Sequence, residues 1–382
     1  MSTRENIPLF DLTVSREAIK EVTASLRSGW LSTGPRVAQF ERALTRKLDA
    51  EQAVAVNSAT AGLAVALKAI GIGPGKEVIT SPFTFVATIE AILYCGGTPV
   101  LADVNPETLT LDPESVASVL TRHTAAIVPV DIAGHPCDYV GLRLVCGKRR
   151  IPIISDSAHA FGATFHSKSI PQWADASVYS FYATKNLTCG EGGAIVSNRK
   201  SYMDRVRYLS RHGMTTNAFQ RQVQGGWAYD VVDLGFKANM SDIHAAVGLG
   251  QLRQFESDQA KRRQLVVRYY QNLETLGDRL ELPYERPDCR SAWHLFIVKL
   301  VSGRHNLTRD RFIELMKKQG IECGVHYQPV FDFSYYRSMR RWKKRCPNVV
   351  SAAERVVTLP LYPKLTLKQV DTICNRIIGI LK

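Results

Sequence analysis

Long uninterrupted apolar runs are missing from this 382-residue chain. Its most hydrophobic stretch, Ala53 to Gly73, is broken by Asn57, Ser58, Thr60 and Lys68. A membrane-spanning helix needs about 20 consecutive apolar residues, so none is expected. The eight cysteines form no CxxC pair, and no histidine stands at zinc-ligand spacing from two of them. That argues against a structural metal site or a redox dithiol. It points instead to reduced, mostly buried thiols in a cytoplasmic protein. The opening MSTRENIPLF is polar and lacks the apolar centre of a secretory signal. Internal repeats and low-complexity tracts are absent as well.

Acidic residues are few beside basic ones. Asp plus Glu number 35 and Lys plus Arg 49, a formal net charge of +14. Such a surplus suits nucleic acid, an anionic membrane or an anionic small substrate. Its densest run is Arg337 to Arg345, built around Trp342 and preceded by Phe331, Phe333, Tyr335 and Tyr336. Basic residues mixed with rings can bind nucleic acid. They equally describe a solvated helix anchored by a few aromatics, which is the simpler expectation. Contact with a nucleotide phosphate is the next.

What is present is a globular balance: 45% hydrophobic and 22% charged residues, in a chain long enough for two domains. Leu63, Ala66, Leu67 and Ile70 recur at helical spacing. Short apolar runs follow at 78–80, 100–102, 125–130, 151–155 and 177–181, with helical stretches between several of them. This rhythm predicts βαβ units and a mainly parallel sheet covered on both faces. The run 193–197 returns after only a glycine-rich loop, too short for a parallel crossover, so one antiparallel strand is expected. A long helical region is expected from near Asp242 past Tyr270, with room for one break. Beyond it the pattern predicts strands at 295–301 and 325–327, a helix at 309–319, and a final helix with Leu367, Val370, Cys374, Ile377 and Leu381 on one face. The fold class is therefore α/β: a large domain over 1–255 and a smaller α+β domain over 256–382.

Four segments carry chemistry. In SFYATKNLTCGEGG, Ser180 to Gly193, Lys185 follows a strand among small and apolar residues. Loss of water there disfavours the ammonium form and leaves a nucleophilic amine suited to imine chemistry. A plain surface lysine is the equal alternative on this segment alone. In ISDSAHAFGA, Asp156 closes an apolar strand at the sheet edge where α/β proteins bind ligands. Buried there, it needs a cation; His159 is expected one helical turn on. A capping aspartate and a core histidine are the bland alternative. In NSATAGL, Ser58, Ala59 and Thr60 open a helix whose N–H groups and dipole can hold an anion, although a plain cap explains them as well. SPFTFVAT puts Phe83 and Phe85 at the same edge, for stacking or for core packing. A nucleophilic lysine, a carboxylate, an anion cradle and an aromatic platform together are what pyridoxal 5'-phosphate (PLP) requires. The conjunction is far more specific than any member.

These segments, with WLSTGP (30–35), SRHGM (210–214), GFKANMSDIHAAVGLGQL (235–252), AWHLFIVKL (292–300) and GVHYQPV (324–330), resemble the DegT/StrS-type sugar aminotransferases across nearly the whole chain. Those are fold-type I PLP enzymes. ATKNLTCGEGG and SAWHLF most resemble the subgroup that makes UDP-4-amino-4-deoxy-L-arabinose. GVHYQPV and SRHGM are shared with enzymes that aminate a UDP-linked 4-keto-6-deoxy-hexosamine. The resemblance implies that Lys185 bonds the cofactor, Asp156 pairs with its ring nitrogen and His159 lies by its hydroxyl. Ala59, Thr60 and Ser180 would hold the phosphate, with Ser58 beside them, and Phe85 would stack on the ring. It further implies a homodimer with shared active sites, in which a GYNYRM-like segment reaches the partner's cofactor. Here that segment reads GFKANM, with Lys237 for asparagine and Asn239 for arginine. Lysine still offers a phosphate a point charge. Trp30, Thr33, Gly34, His326 and Tyr327 would line the sugar-nucleotide pocket. Glutamate, released as 2-oxoglutarate, would be the amino donor, and the product an amino sugar for lipopolysaccharide, lipid A or glycan synthesis. No metal, nucleic acid or membrane partner is expected. A sugar dehydratase on the same scaffold is the rival, disfavoured because Lys185 is retained; a basic regulatory protein is the rival of a different class.

Overall fold

The structure is a computed structural model and describes residues 6–216, 227–304 and 307–382. The first five residues of the polar opening segment lie outside it. Five strands come first: β1 (Gln52–Val56), β2 (Glu77–Thr80), β3 (Thr98–Leu101), β4 (Thr124–Val128) and β5 (Ile154–Asp156). A small hairpin of β6 (Thr164–Phe165) and β7 (Lys168–Ser169) precedes β8 (Ala176–Ser180) and β9 (Gly193–Ser197). Hydrogen bonding gives two blocks, β3-β2-β4 and β5-β8-β9-β1. The bridges Ile127 to Ile153 and Val130 to Asp156 join them edge to edge. β9 pairs antiparallel with both β8 and β1, while the other pairings are parallel. The expected single reversed strand is therefore β9.

The strands are buried almost throughout, as a sheet covered on both faces requires. The helix Ala59–Ala69 packs on one face, its seven buried residues divided between the sheet and the helices Ala87–Tyr94 and Lys200–Leu209, and Ser58 caps it by accepting from the Ala61 N–H at 3.1 Å. On the other face lie Phe40, Phe161, Phe181 and Phe255, in edge-to-face contacts at 4.9–5.7 Å. β1 was not anticipated as a strand, because its alanines and valines merge with the apolar helix that follows.

Beyond the helix Asp242–Leu273 the chain builds a second sheet, β10 (Leu280–Glu281), β12 (Phe296–Leu300) and β13 (Val356–Leu359). β11 (Cys289–Arg290) instead pairs with β6. The helices Arg309–Lys318 and Leu367–Leu381 cover this sheet, the last opened by a Thr366/Gln369 capping box. Ile7 joins the same core and bridges to Ile321.

Three expectations are corrected, and the solvated helix expected at Arg337–Arg345 is found. The long helix is unbroken, because Gly250 serves packing: a Cβ there would stand 2.2 Å from the Ala18 nitrogen, so the bare glycine lets the helix Arg16–Ser28 touch. Residues 325–327 form no strand; Gly324 alone bridges to Thr358, and the side chains of His326 and Tyr327 turn into the interior. Asp156 to His159 is a turn rather than a helical one, closed by the Ala158 N–H on Asp156 Oδ1 at 3.2 Å. Arg337–Arg345 winds as a 3-10 helix, with Trp342 packed inward and Lys343 paired to Asp332.

Gly193 ties the sheet to the helix start. A Cβ on it would lie 2.7 Å from the Tyr179 carbonyl oxygen and 2.8 Å from the Ala59 nitrogen. Both are backbone atoms and cannot swing away. Gly193→Ala is expected to lower stability by about 1–3 kcal/mol in urea unfolding, the usual cost of overpacking.

Candidate active site

The carboxyl ends of β5 and β8 and the loops after β1 and β2 converge on a cavity of about 430 Å³. Ser58, Ala59, Thr60, Phe85, Asp156, His159, Ser180, Lys185, His326 and Tyr327 all line it. Segments separated by more than 260 residues thus meet at one sheet edge, where fixed strand ends hold loop residues in place.

Lys185 sits in a turn after β8, its N–H donating to the Tyr182 carbonyl at 3.0 Å. Asn186 next to it is anchored: its amide donates to the Ala292 carbonyl at 2.6 Å and to Gln259 Oε1 at 3.1 Å. Gly190, at φ +80°, allows the reversal that leads into β9. The Lys185 side chain lines the cavity, and its amine makes no hydrogen bond among the described residues. Burial pulls its pKa from the ordinary 10.5 down to about 8, against the opposing pull of Asp156.

Asp156 Oδ2 accepts from the Thr88 hydroxyl at 2.7 Å. Burial pushes its pKa up; Thr88, the Ala158 N–H and the charge of Lys185 pull the other way. His159 is held well below its ordinary pKa by burial and by the charge of Lys185, so its ring is neutral. Its Nδ1 accepts from the Ala133 N–H at 3.2 Å, which places the single ring proton on Nε2. Nε2 lies 3.1 Å from the Tyr327 hydroxyl, so Tyr327 accepts and keeps its own proton for the cavity. The Tyr327 ring also stacks on His159, with centroids 5.9 Å apart. His326 bonds Thr358 Oγ1 at 2.8 Å, and burial draws its pKa down to about 4.

At the other end of the cavity the helix Ala59–Ala69 begins. Ser58 spends its hydroxyl on the cap, so Ala59 and Thr60 present the N–H groups that helical bonding leaves over. Phe85 is 57% exposed and looks into the cavity, whereas Phe83 is fully buried in the core.

Trp30, Thr33, Gly34, Lys237 and Asn239 are not brought to this cavity. They form a cluster of their own: Lys237 Nζ donates to Asn239 Oδ1 at 2.8 Å, and Asn239 Nδ2 to the Thr33 hydroxyl at 2.6 Å. Asp242 accepts from the Gly34 and Val37 N–H groups at 2.8 and 2.9 Å, fixing the loop. The Asn57 N–H donates to the Ala238 carbonyl at 2.7 Å, so the cluster adjoins the helix start from outside. Thr88, Asn186 and His294 were missed as site residues. All three lie inside the quoted segments, but spacing alone does not show which neighbours of a motif point inward.

The residues fit PLP. A buried carboxylate short of a cation suits a protonated ring nitrogen, a desolvated amine suits the aldehyde, and open N–H groups at a helix start suit the phosphate. No group of acids, histidines or cysteines placed to hold a metal occurs among the described residues, and no described helix is long and apolar enough to cross a membrane.

Residues 13–378 match the model of the DegT/DnrJ/EryC1/StrS aminotransferase family. Spore coat polysaccharide biosynthesis protein SpsC of Bacillus subtilis is 39% identical over 372 residues, covering 97% of this chain and 95% of that protein. Among solved structures, the sugar aminotransferase Spr1654 of Streptococcus pneumoniae superposes with a TM-score of 0.92 at 32% identity, over 99% of this chain and 98% of that one. It is known in apo, PLP and PMP forms. Helicobacter pylori PseC, an aminotransferase involved in pseudoaminic acid biosynthesis, gives 0.91 at 26% identity, over 99% of each chain.

Lys185→Ala is expected to remove the borohydride-reducible chromophore of the PLP-loaded protein and all turnover, read by absorbance. In cofactor-free protein the amine titrates near 8 when folded and near 10.5 when unfolded. Between those values only the unfolded chain keeps the proton, so stability should rise with pH across that window. Denaturant midpoints should show the rise in wild type and lose it in Lys185→Met.

Proposed function

The chain belongs to the DegT/DnrJ/EryC1/StrS aminotransferase family and is a PLP-dependent sugar aminotransferase, and from that premise we propose that it aminates a UDP-linked 4-keto sugar with glutamate as donor. The observation that carries this reading is the meeting of Lys185, Asp156 and the open helix start at Ala59 in one cavity.

The cofactor, when bound, supplies the electron sink that lets a C–H bond next to nitrogen ionise. Asp156 would hold the ring nitrogen protonated, and Ala59, Thr60 and Ser180 would hold the phosphate. Phe85 would cover the ring. Lys185 Nζ, as a free amine, would take the proton from the donor's α-carbon and pass it to the carbon that carries the cofactor's aldehyde, as general base and then acid. Its lowered pKa leaves a working share of free amine near neutral pH. In the second half-reaction the same nitrogen moves the proton the other way, and the keto sugar leaves as an amine. Tyr327, accepting from His159, keeps a hydroxyl donor at the same wall.

The net charge of +14 favours a substrate carrying a diphosphate. SpsC is named for spore coat polysaccharide biosynthesis and PseC for the biosynthesis of pseudoaminic acid, which supports a product bound for polysaccharide, lipid A or glycan. We place the enzyme in the cytoplasm, where its eight free cysteines would stay reduced. We divide the chain near residue 255, since Phe255 packs with the first core and Leu265 with the second. The cluster of Lys237, Asn239 and Thr33, standing outside its own cavity, is assigned to the cavity of a second subunit.

Two experiments test this. In a panel of UDP- and dTDP-linked keto sugars, glutamate should yield 2-oxoglutarate only with a UDP-linked 4-keto sugar; turnover with dTDP sugars alone would overturn the base assignment. Lys185→Ala subunits, inactive alone, and Lys237→Ala subunits, weak alone, should regain activity in mixed dimers, because one site then has both lysines. No regain on mixing, or a fully active monomer in sedimentation, refutes the shared site.

A further inference from the structure

A second cavity, of about 190 Å³, lies on the other side of Lys185. Thr184, Lys185, His326 and Tyr327 line both cavities, so a molecule in the second lies against the same amine. Its floor is Arg262, on the long helix and only 4% exposed. Nη1 donates to the Leu361 carbonyl at 2.8 Å and to the Trp293 carbonyl at 3.4 Å. Nε is buried and has no hydrogen-bond partner among the described residues. No carboxylate among the described residues comes within ion-pair distance of this guanidinium. Asp258, one turn earlier on the helix, acts on it only through space and accepts from Gln254 instead. Asp11, in the same lining, is paired with Lys364. A buried cation held only by carbonyl oxygens and lacking a counter-ion is costly unless an anion completes it.

We propose that Arg262 binds a carboxylate of the amino donor, so that the second cavity is the donor's pocket. This rests on Lys185 being the group the donor amine displaces. Size decides between two anions. At about 190 Å³ the space is below the roughly 300–1,000 Å³ that larger ligands occupy. It suits a small amino acid and not a nucleotide diphosphate. With its carboxylate at Arg262, a donor amino acid points its amine toward Lys185, while the sugar enters from the larger cavity. Donor and sugar thus share the amine and the cofactor edge but not the anion contact.

The test separates the half-reactions in PLP-loaded protein by absorbance. Arg262→Gln should raise the KM for glutamate by about a hundredfold, as expected when one partner of a charged hydrogen-bonded pair is lost. Conversion of the PMP form by the keto sugar should keep its rate. Arg262→Lys, which keeps the charge, should recover part of the glutamate KM and guards against loss of folding. Calorimetry with glutarate, an unreactive dicarboxylate, should show binding to wild type and none to Arg262→Gln, with UDP binding unchanged. Equal losses in both half-reactions, an unchanged glutamate KM, or loss of UDP rather than glutarate binding would overturn the proposal. Wild type that refuses glutamate yet binds glutarate through Arg262 would sink the choice of glutamate and support the carboxylate pocket.

Discussion

An amine and a carboxylate share one poorly hydrated space at the end of a sheet, and the rest of the structure arranges that meeting. Neither Lys185 nor Asp156 would keep its perturbed pKa in open water. Burial lowers one and raises the other, while their mutual attraction opposes both shifts. The outcome is a lysine that gives up its proton near neutrality and a carboxylate that still wants a cation. A cofactor with an electrophilic aldehyde and a basic ring nitrogen answers both needs at once.

The surroundings keep these two groups in register. Thr88 fixes the carboxylate, and Asn186 ties the lysine turn to Gln259 on the long helix and to the Ala292 carbonyl. Three buried histidines that feel the lysine's charge, His159, His294 and His326, are driven toward the neutral form by burial first and by that charge as well. They therefore shape and donate without adding positive charge beside the amine. Asp131, fully buried one residue beyond Val130, takes hydrogen bonds from Tyr139, Ser157 and the Cys137 N–H, and so braces the strand end that carries Asp156.

Much of this could be read from residue order, because βαβ architecture sends functional residues to one known edge. Strand ends located Asp156 and Lys185, and a small-residue helix start located Ala59 and Thr60. Phe85 and Phe83 could not be told apart, since a strand end with two rings does not say which faces in. β1 was hidden because an apolar strand leads directly into an apolar helix. Residues 325–327 were misread because their alternation reflects two side chains aimed at the interior rather than a ladder. Arg262 left no sequence signal: on a long helix rich in arginine, only its lack of an acidic partner in three dimensions sets it apart.

The N-terminal stretch gives one more lesson. Ile7 is locked into the C-terminal core, Ser15 donates to Gln251 on the long helix, and Leu9 to Thr13 between them line the smaller cavity. This short strap roofs a chamber while its two anchors lie on different cores. Trimming it, or crowding it with a bulky purification handle, would unroof that chamber while taking only Ile7 from the two cores. A shortened version could therefore look healthy by every folding criterion and still behave as a poor enzyme.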